Sequence, residues 1–194
     1  AAYNDAVKSK PNGSAHDTFT EAQIKNMVLS FNTILNEADG DKFQDLTATD
    51  PTQADYVNVG LGNGSIFKTN LDAMLNNAGS VSLLTDVIGA KNKDQVNSIK
   101  ELNDLGLIVS RIQELVDKNP TSNLVAQKND TIYDSITNGR LTVKDFQDLG
   151  LDVAYLTSTN VSADVLTHRV NAVMDSIFSL STMADLDSLS KLQI

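Results

Sequence analysis

The stretch that decides the fold runs from Lys93 to Lys118 and reads KDQVNSIKELNDLGLIVSRIQELVDK. Its apolar residues recur every three or four positions, the spacing of one face of an α-helix. Gly106 lies inside this stripe, costs about 1 kcal/mol relative to alanine and allows a kink. Asn119-Pro120 is predicted to end the helix. The members of the stripe are Val96, Ile99, Leu102, Leu105, Val109, Ile112, Leu115 and Val116.

The same spacing predicts further helices on both sides of this stretch. The first has Thr18 or Thr20 as its N-cap, and Ala78-Gly79-Ser80 is predicted to separate two of the others. Glycines at positions 40, 60, 139 and 150 supply helix ends. Strand-like alternation is scarce, so the fold class is predicted to be all-α, with short helices packed in bundles. The predicted helices cover 19–38, 52–59, 66–77, 81–88, 122–137, 142–149, 161–178 and 184 onward.

Composition excludes several classes of site. The 194 residues include no cysteine, so disulfides and thiolate metal sites are absent. With only two histidines, His16 and His168, a multi-histidine zinc site and histidine-based catalysis are nearly excluded. The net charge of −10 makes nucleic acid a poor partner. No apolar run approaches the roughly 20 residues of a membrane span.

The acidic residues are mainly aspartate, with 21 Asp against 4 Glu. Aspartate has a low propensity for the interior of a helix and a high preference for the N-cap position. Many short helices that are capped by aspartate are therefore expected.

An internal repeat appears when Thr52–Leu61 is placed beside Thr142–Leu151, an offset of 90 residues. Kept without a gap, this offset gives nine identities over 53 positions, and the apolar positions agree. Such a period predicts tandem helical units that share surface with their neighbours. The predicted organisation is the end of a preceding repeat plus a long helix at 1–50, one unit at 51–140 and a second, partial unit at 141–194. Both ends of the sequence look helical, so we expect a piece of a longer protein.

Several phrases of the sequence resemble the helical repeat regions of giant bacterial surface proteins and adhesins, of the type I-secreted, RTX-adhesin-like kind. The resemblance covers most of the chain and lies in helix caps and core positions. It implies a secreted, extracellular protein whose module acts as a spacer or scaffold beside neighbouring repeats of the same chain. The chain departs from those repeats in having less alanine and an unusually polar 119–140. The phrases are 32–40, 50–56, 83–89, 96–102, 141–151 and 184–193.

One acidic turn resembles a calcium-binding loop. Asp39, Asp41 and Asp45 stand near positions 1, 3 and 7 of such a loop, but position 12 is Asp50 rather than glutamate, and Gln44 replaces the central glycine. We expect a solvated turn after a helix, with weak calcium binding as the alternative.

No motif positions a catalytic group or a cofactor. There is no Gly-x-Ser-x-Gly elbow. The glycines at 60–64 follow a helix and have no lysine directly after the last of them, unlike a phosphate-binding loop. The sequence therefore predicts a protein that is not an enzyme and holds no cofactor. If one helical face binds a host or cell-surface protein, Tyr133 and Tyr155 are the candidates, because tyrosine is enriched in contact surfaces.

Two functions follow as hypotheses. The first is a non-catalytic spacer or scaffold of an extracellular surface protein, active in adhesion or surface assembly. The second is a recognition module that binds a host or cell-surface protein through one helical face.

Overall fold

The computed structural model describes residues 19–40, 49–63, 65–117, 141–150, 173, 176–177 and 179–186, and all structural statements refer to these. Within them the protein is helical and forms no strand, which confirms the all-α prediction. The helices are α1 (Glu21–Glu37), α2 (Gln53–Val59), α3 (Lys68–Leu75), α4 (Ala78–Gly89), α5 (Ile99–Val116) and α6 (Val143–Asp148). Two 3₁₀ turns cover Lys93–Gln95 and Met183–Leu186.

Two predicted boundaries are wrong. Ala78-Gly79-Ser80 does not separate two helices but forms the first turn of α4, because the Asn77 side chain accepts the Ser80 N–H at 3.1 Å and caps the helix one turn earlier. The long helix begins at Ile99 rather than near Lys93, because Ser98 caps it and the preceding residues form a 3₁₀ turn. The predicted helices at 122–137 and most of 161–178 lie outside the described residues.

Helix α5 is the longest of the six helices. It packs against α3 and α4, while α1 packs against α2 and α4. One continuous core joins all six helices, so α6, distant in sequence, shares buried surface with the rest through Phe146 and Leu149. Within the described part of the chain, no helix is both long and apolar enough to cross a membrane.

The helix caps differ from the expectation that aspartate would occupy the N-cap. Threonine, serine or asparagine stands at the N-caps of α1, α2, α4, α5 and α6, and aspartate stands three residues further on in α2 and α6. The Asp55 carboxylate accepts the Thr52 backbone N–H at 2.8 Å and the Thr52 hydroxyl at 2.7 Å. This is a capping box, in which the acid satisfies the backbone N–H that the N-cap residue leaves unpaired.

The box at Thr52 makes part of the stability depend on pH. Partial burial raises the pKa of Asp55, but hydrogen bonds from the backbone and side chain of Thr52, and from Ser30 of α1, outweigh it and leave the pKa below its ordinary value of 3.8. Because the pKa is lower in the folded state, this stabilisation is present above about pH 4 and is lost as the pH falls further.

We predict that Asp55→Asn lowers the free energy of unfolding by about 0.5–2 kcal/mol at pH 7, the usual range for a lost helix cap. Urea unfolding at pH 7 and pH 3 should show the difference from the wild type shrinking at the lower pH. Asp104→Asn is the control, since its exposed pair with Lys100 is worth about 0.5 kcal/mol or less. An Asp55→Asn effect as small as that control would contradict the prediction.

Helix α4 approaches the Met183–Leu186 turn at a glycine. A Cβ atom on Gly79 would lie 2.5 Å from the Met183 carbonyl oxygen, so only glycine permits this contact. Met183 and Leu186 are both buried. The glycine therefore holds residues from the end of the sequence against α4.

We predict that Gly79→Ala destabilises the protein by about 1–3 kcal/mol, as overpacked contacts do, although alanine is the better helix former. Ser82→Ala, at an exposed position of the same helix, should change the free energy of unfolding by about 0.5 kcal/mol or less. Thermal and urea unfolding of both variants would test this. A stabilised Gly79→Ala variant would show that the close contact does not form.

Candidate functional interface

On the side of α5 that faces α3, two side chains form hydrogen bonds with Asn70 of α3, one with its side-chain amide and one with its backbone oxygen. The Asn70 side-chain amide donates to the Glu114 Oε1 at 2.7 Å, and the Ser110 hydroxyl donates to the Asn70 backbone oxygen at 3.2 Å. Glu114 and Ser110 are four residues apart, so they lie on the same face of α5. We call this arrangement the asparagine clamp. It fixes the position of α3 along α5.

Beside the clamp, α5 presents Gly106 to the core. A Cβ there would lie 2.9 Å from Cδ2 of Leu71 and 3.3 Å from Cε of Met74. The helix continues through Gly106 without a break. The glycine thus serves close packing of α3 rather than the end of a helix.

Further polar contacts along the same side join α5 to the preceding segments. The Gly62 backbone N–H donates to Asn103 Oδ1 at 2.8 Å, and the Ser80 hydroxyl donates to Gln113 Oε1 at 2.8 Å. The Arg111 guanidinium lies 5.9 Å from the centre of the Phe67 ring, within range of a cation–π interaction. One side of α5 is thus covered by α3, the start of α4 and the turn at Gly62. It is formed by residues 103, 106, 107, 110, 113 and 114.

The other side of α5 borders α6 across a small cavity. Leu105 and Ile108 line one cavity together with Asp148 of α6, and the neighbouring Phe146 and Leu149 are fully buried. Helix α5 therefore lies between the helices that precede it and the helix that follows it. Eleven of its 18 residues are buried, against four of 17 in α1.

We predict that Asn70→Asp destabilises the protein by about 1.5–3 kcal/mol, because it replaces the donor to Glu114 with a second carboxylate. Glu114→Gln should restore much of the loss, since the new amide can donate to the aspartate. The coupling energy from urea unfolding of the two single variants and the double variant measures this. Additive effects would argue against the asparagine clamp.

The two segments that the repeat alignment pairs have the same local structure where both are described. Thr142 and Asp145 form the same box as Thr52 and Asp55, with Thr142 N–H to Asp145 Oδ2 at 2.6 Å. Each short helix is followed by a glycine with positive φ, 88° at Gly60 and 91° at Gly150. The aromatic residue between box and glycine is fully buried in both.

The offset of 90 residues also matches a second feature. It places the 3₁₀ turn Lys93–Gln95 on residues 183–185, and the turn Met183–Leu186 lies there. Asn92 N–H donates to Gln95 Oε1 at 3.0 Å, and Thr182 N–H donates to Asp185 Oδ2 at 2.9 Å. Buried apolar residues recur at the same offset in the pairs Leu83 and Val173, Val87 and Ile177, and Val96 and Leu186.

Helices α1 and α5 match each other at a shorter offset of 78 residues. Thr20 with Gln23 and Ser98 with Glu101 both form capping boxes. Five positions are then buried in both helices: Met27 and Leu105, Ser30 and Ile108, Phe31 and Val109, Ile34 and Ile112, and Ala38 and Val116. On this common side α1 contacts α2 through Asn58, whose amide donates to Ser30 at 3.1 Å.

Of the residues singled out as site candidates from the sequence, Asp39 alone lies among the described residues. Asp39 is exposed and forms an isolated β-bridge with Asn92. The other calcium candidates, Asp41 and Asp45, lie outside the described residues, as do Tyr133, Tyr155 and both histidines. Among the described residues, no group of three or more His, Cys, Asp or Glu could hold a metal ion.

Two small cavities adjoin α5. Their volumes are about 190 and 260 Å³, below the 300 Å³ or more that is usual for ligand pockets. Neither is lined by histidine. Their lining residues are Lys91, Gln95, Glu101, Asp104, Leu105, Ile108 and Asp148 in the first, and Thr69, Asn70, Ala73, Ser110, Gln113, Glu114 and Asp117 in the second.

Sequence reasoning missed the asparagine clamp. A signal for it was present, because Thr69-Asn70 recurs as Thr159-Asn160 and supplies two of the nine identities. No protein-family model, curated protein or solved structure matches this chain.

Proposed function

We propose that this chain is a non-catalytic helical repeat module that acts as a spacer or scaffold within a large bacterial surface protein. The observation that carries the proposal is the position of α5, which packs against the short helices α3 and α4 before it and shares a core and a small cavity with α6 after it. A helix shared in this way joins neighbouring units into a continuous array.

In this proposal each unit is one long helix followed by a set of short helices. The first unit starts with α1 and the second with α5, so the unit boundaries lie at the starts of these long helices rather than at the predicted positions 51 and 141. The offsets of 78 and 90 residues differ by 12, and this extra length falls between α5 and α6. The capping boxes and the glycines after α2 and α6 support the equivalence of the two units.

The placement at the bacterial surface rests on composition and on the resemblance. The chain contains 21 Asp and 4 Glu. It has no cysteine, so it forms no disulfide even in an oxidising environment. Its charge of −10 keeps modules soluble at high local density. These properties suit a spacer that is present in many copies.

A chain lengthened by one period tests the proposal. A second copy of residues 52–141, inserted after Leu141, repeats α2 to α5 and should restore every interface. We predict by small-angle scattering that the radius of gyration exceeds about 19 Å, the value for a compact chain of that size, while the original chain starts from about 16 Å if compact. Helical content should rise in proportion to the inserted length.

The control is an insertion of the same length with the copied 99–116 segment scrambled. It keeps the composition and destroys the shared helix, so it should lose helical content and expand as an unfolded segment does. A lengthened chain that collapses to the compact value, or that resembles the scrambled control, would refute the array.

A further inference from the structure

The chain has no cysteine, so its sulfur is confined to four methionines, at positions 27, 74, 174 and 183. Met27, Met74 and Met183 are among the described residues, and all three are buried. Cysteine and methionine are the side chains that peroxides oxidise reversibly. Reversible oxidation of this protein by a peroxide therefore takes place at a methionine.

Met183 differs from the other two described methionines in its position along the chain. Met27 and Met74 lie within α1 and α3, where helical hydrogen bonds hold the backbone. Met183 begins a 3₁₀ turn of four residues, and its neighbours Thr182 and Ala184 are exposed. Short elements at the surface open locally at a lower free energy than helices that are packed in the core. Met183 is therefore the described methionine that local opening exposes most readily.

Two contacts hold the turn in place. The Thr182 backbone N–H donates to Asp185 Oδ2 at 2.9 Å, and the Thr182 hydroxyl donates to the same oxygen at 3.2 Å. The turn also packs against α4, where a Cβ atom on Gly79 would lie 2.9 Å from the Met183 Cβ. The hydrogen bonds lie within the turn, so they persist when the contact with α4 is lost. Separation of the turn from α4 thus exposes Met183 without unfolding the turn itself.

The internal repeat does not account for a methionine at this position. At the offset of 90 residues Met183 corresponds to Lys93, which begins the equivalent 3₁₀ turn and is exposed. Leu186, by contrast, keeps the buried apolar character of Val96. The turn of the first segment needs no apolar residue here, so Met183 serves a contact that is particular to the second segment.

We propose that Met183 is a site of reversible oxidation, and that its oxidation releases the Met183–Leu186 turn from α4. The oxidant is hydrogen peroxide, which transfers one oxygen to the methionine sulfur. The O–O bond breaks, an S–O bond forms, the sulfur is oxidised by two electrons, and the other peroxide oxygen leaves as water. The sulfoxide is polar, so its return to the apolar site would cost it its hydrogen bonds with water. The inference is independent of the proposed function, since it concerns one contact within the chain.

Dilute hydrogen peroxide added to the folded full chain, followed by peptide mass spectrometry, tests the site. We expect Met183 to be oxidised at least about tenfold faster than Met27 and Met74, because local opening is enough to expose it. Gly79→Ala weakens the contact with the turn and should raise the Met183 rate by about threefold or more, while Ser82→Ala on the same helix should not. Equal rates at the three methionines, or a Met183 rate that Gly79→Ala leaves unchanged, would overturn the proposal.

Amide hydrogen exchange before and after oxidation tests the consequence for the fold. After oxidation, exchange should be at least about tenfold faster at 179–186 and in the first turn of α4, and methionine sulfoxide reductases should restore the original rates. Met183→Leu is the matched control, because leucine has a similar volume and no sulfur, so peroxide should not change exchange in either segment. Exchange that oxidation leaves unchanged in the wild type, or that it accelerates equally in Met183→Leu, would show that Met183 does not control this contact.

Discussion

The structure depends on the burial of α5 on more than one side. An ordinary surface helix covers a single apolar stripe, but α5 also buries Gly106, Ser110 and Arg111, which lie off that stripe. No single partner helix can cover so much of its surface. The helices before α5 and the helix after it must therefore assemble around it, and the order of the chain brings them there.

The short helices depend on this arrangement for their existence. Helices of six to eight residues, such as α2, α3 and α6, are too short to be stable alone, because the cost of starting a helix is spread over few hydrogen bonds. Capping boxes reduce that cost at α2 and α6, and fully buried aromatic residues, Tyr56 and Phe146, anchor both in the core. Packing decides where they form, and the caps decide where they begin.

Tyr56 shows how a polar group is accommodated in this core. Its hydroxyl lies 2.8 Å from the Thr85 hydroxyl, which also donates to the Pro51 carbonyl oxygen at 3.3 Å. Burial raises the pKa of Tyr56 well above its ordinary value, so it stays neutral. The corresponding Phe146 lacks the hydroxyl, so the second segment keeps the apolar anchor without this hydrogen bond.

Much of the fold could be predicted from the sequence because caps and apolar spacing act locally. The end of α1 shortly before Gly40 and the helix that follows Thr52 are examples, since a positive φ and a capping box need only a few residues. The start of α5 was missed because Val96 is fully buried like the stripe and yet precedes the cap, although Ser98 and Glu101 form a capping box that is as local as the one at Thr52. The asparagine clamp was also beyond local reasoning, because Asn70 and Glu114 are 44 positions apart.

The interface along α5 combines two kinds of specificity. Apolar contacts such as that of Gly106 with Leu71 fix how closely the helices approach, but they tolerate sliding along the helix axis. The asparagine clamp does not tolerate it, because a shift of one turn would separate the part-buried Asn70 amide from Glu114 and the Asn70 carbonyl oxygen from the Ser110 hydroxyl, at about 0.5–1.5 kcal/mol for each hydrogen bond. In the proposed array a fixed register matters more than a pocket, since an error at one junction would be carried through every unit beyond it.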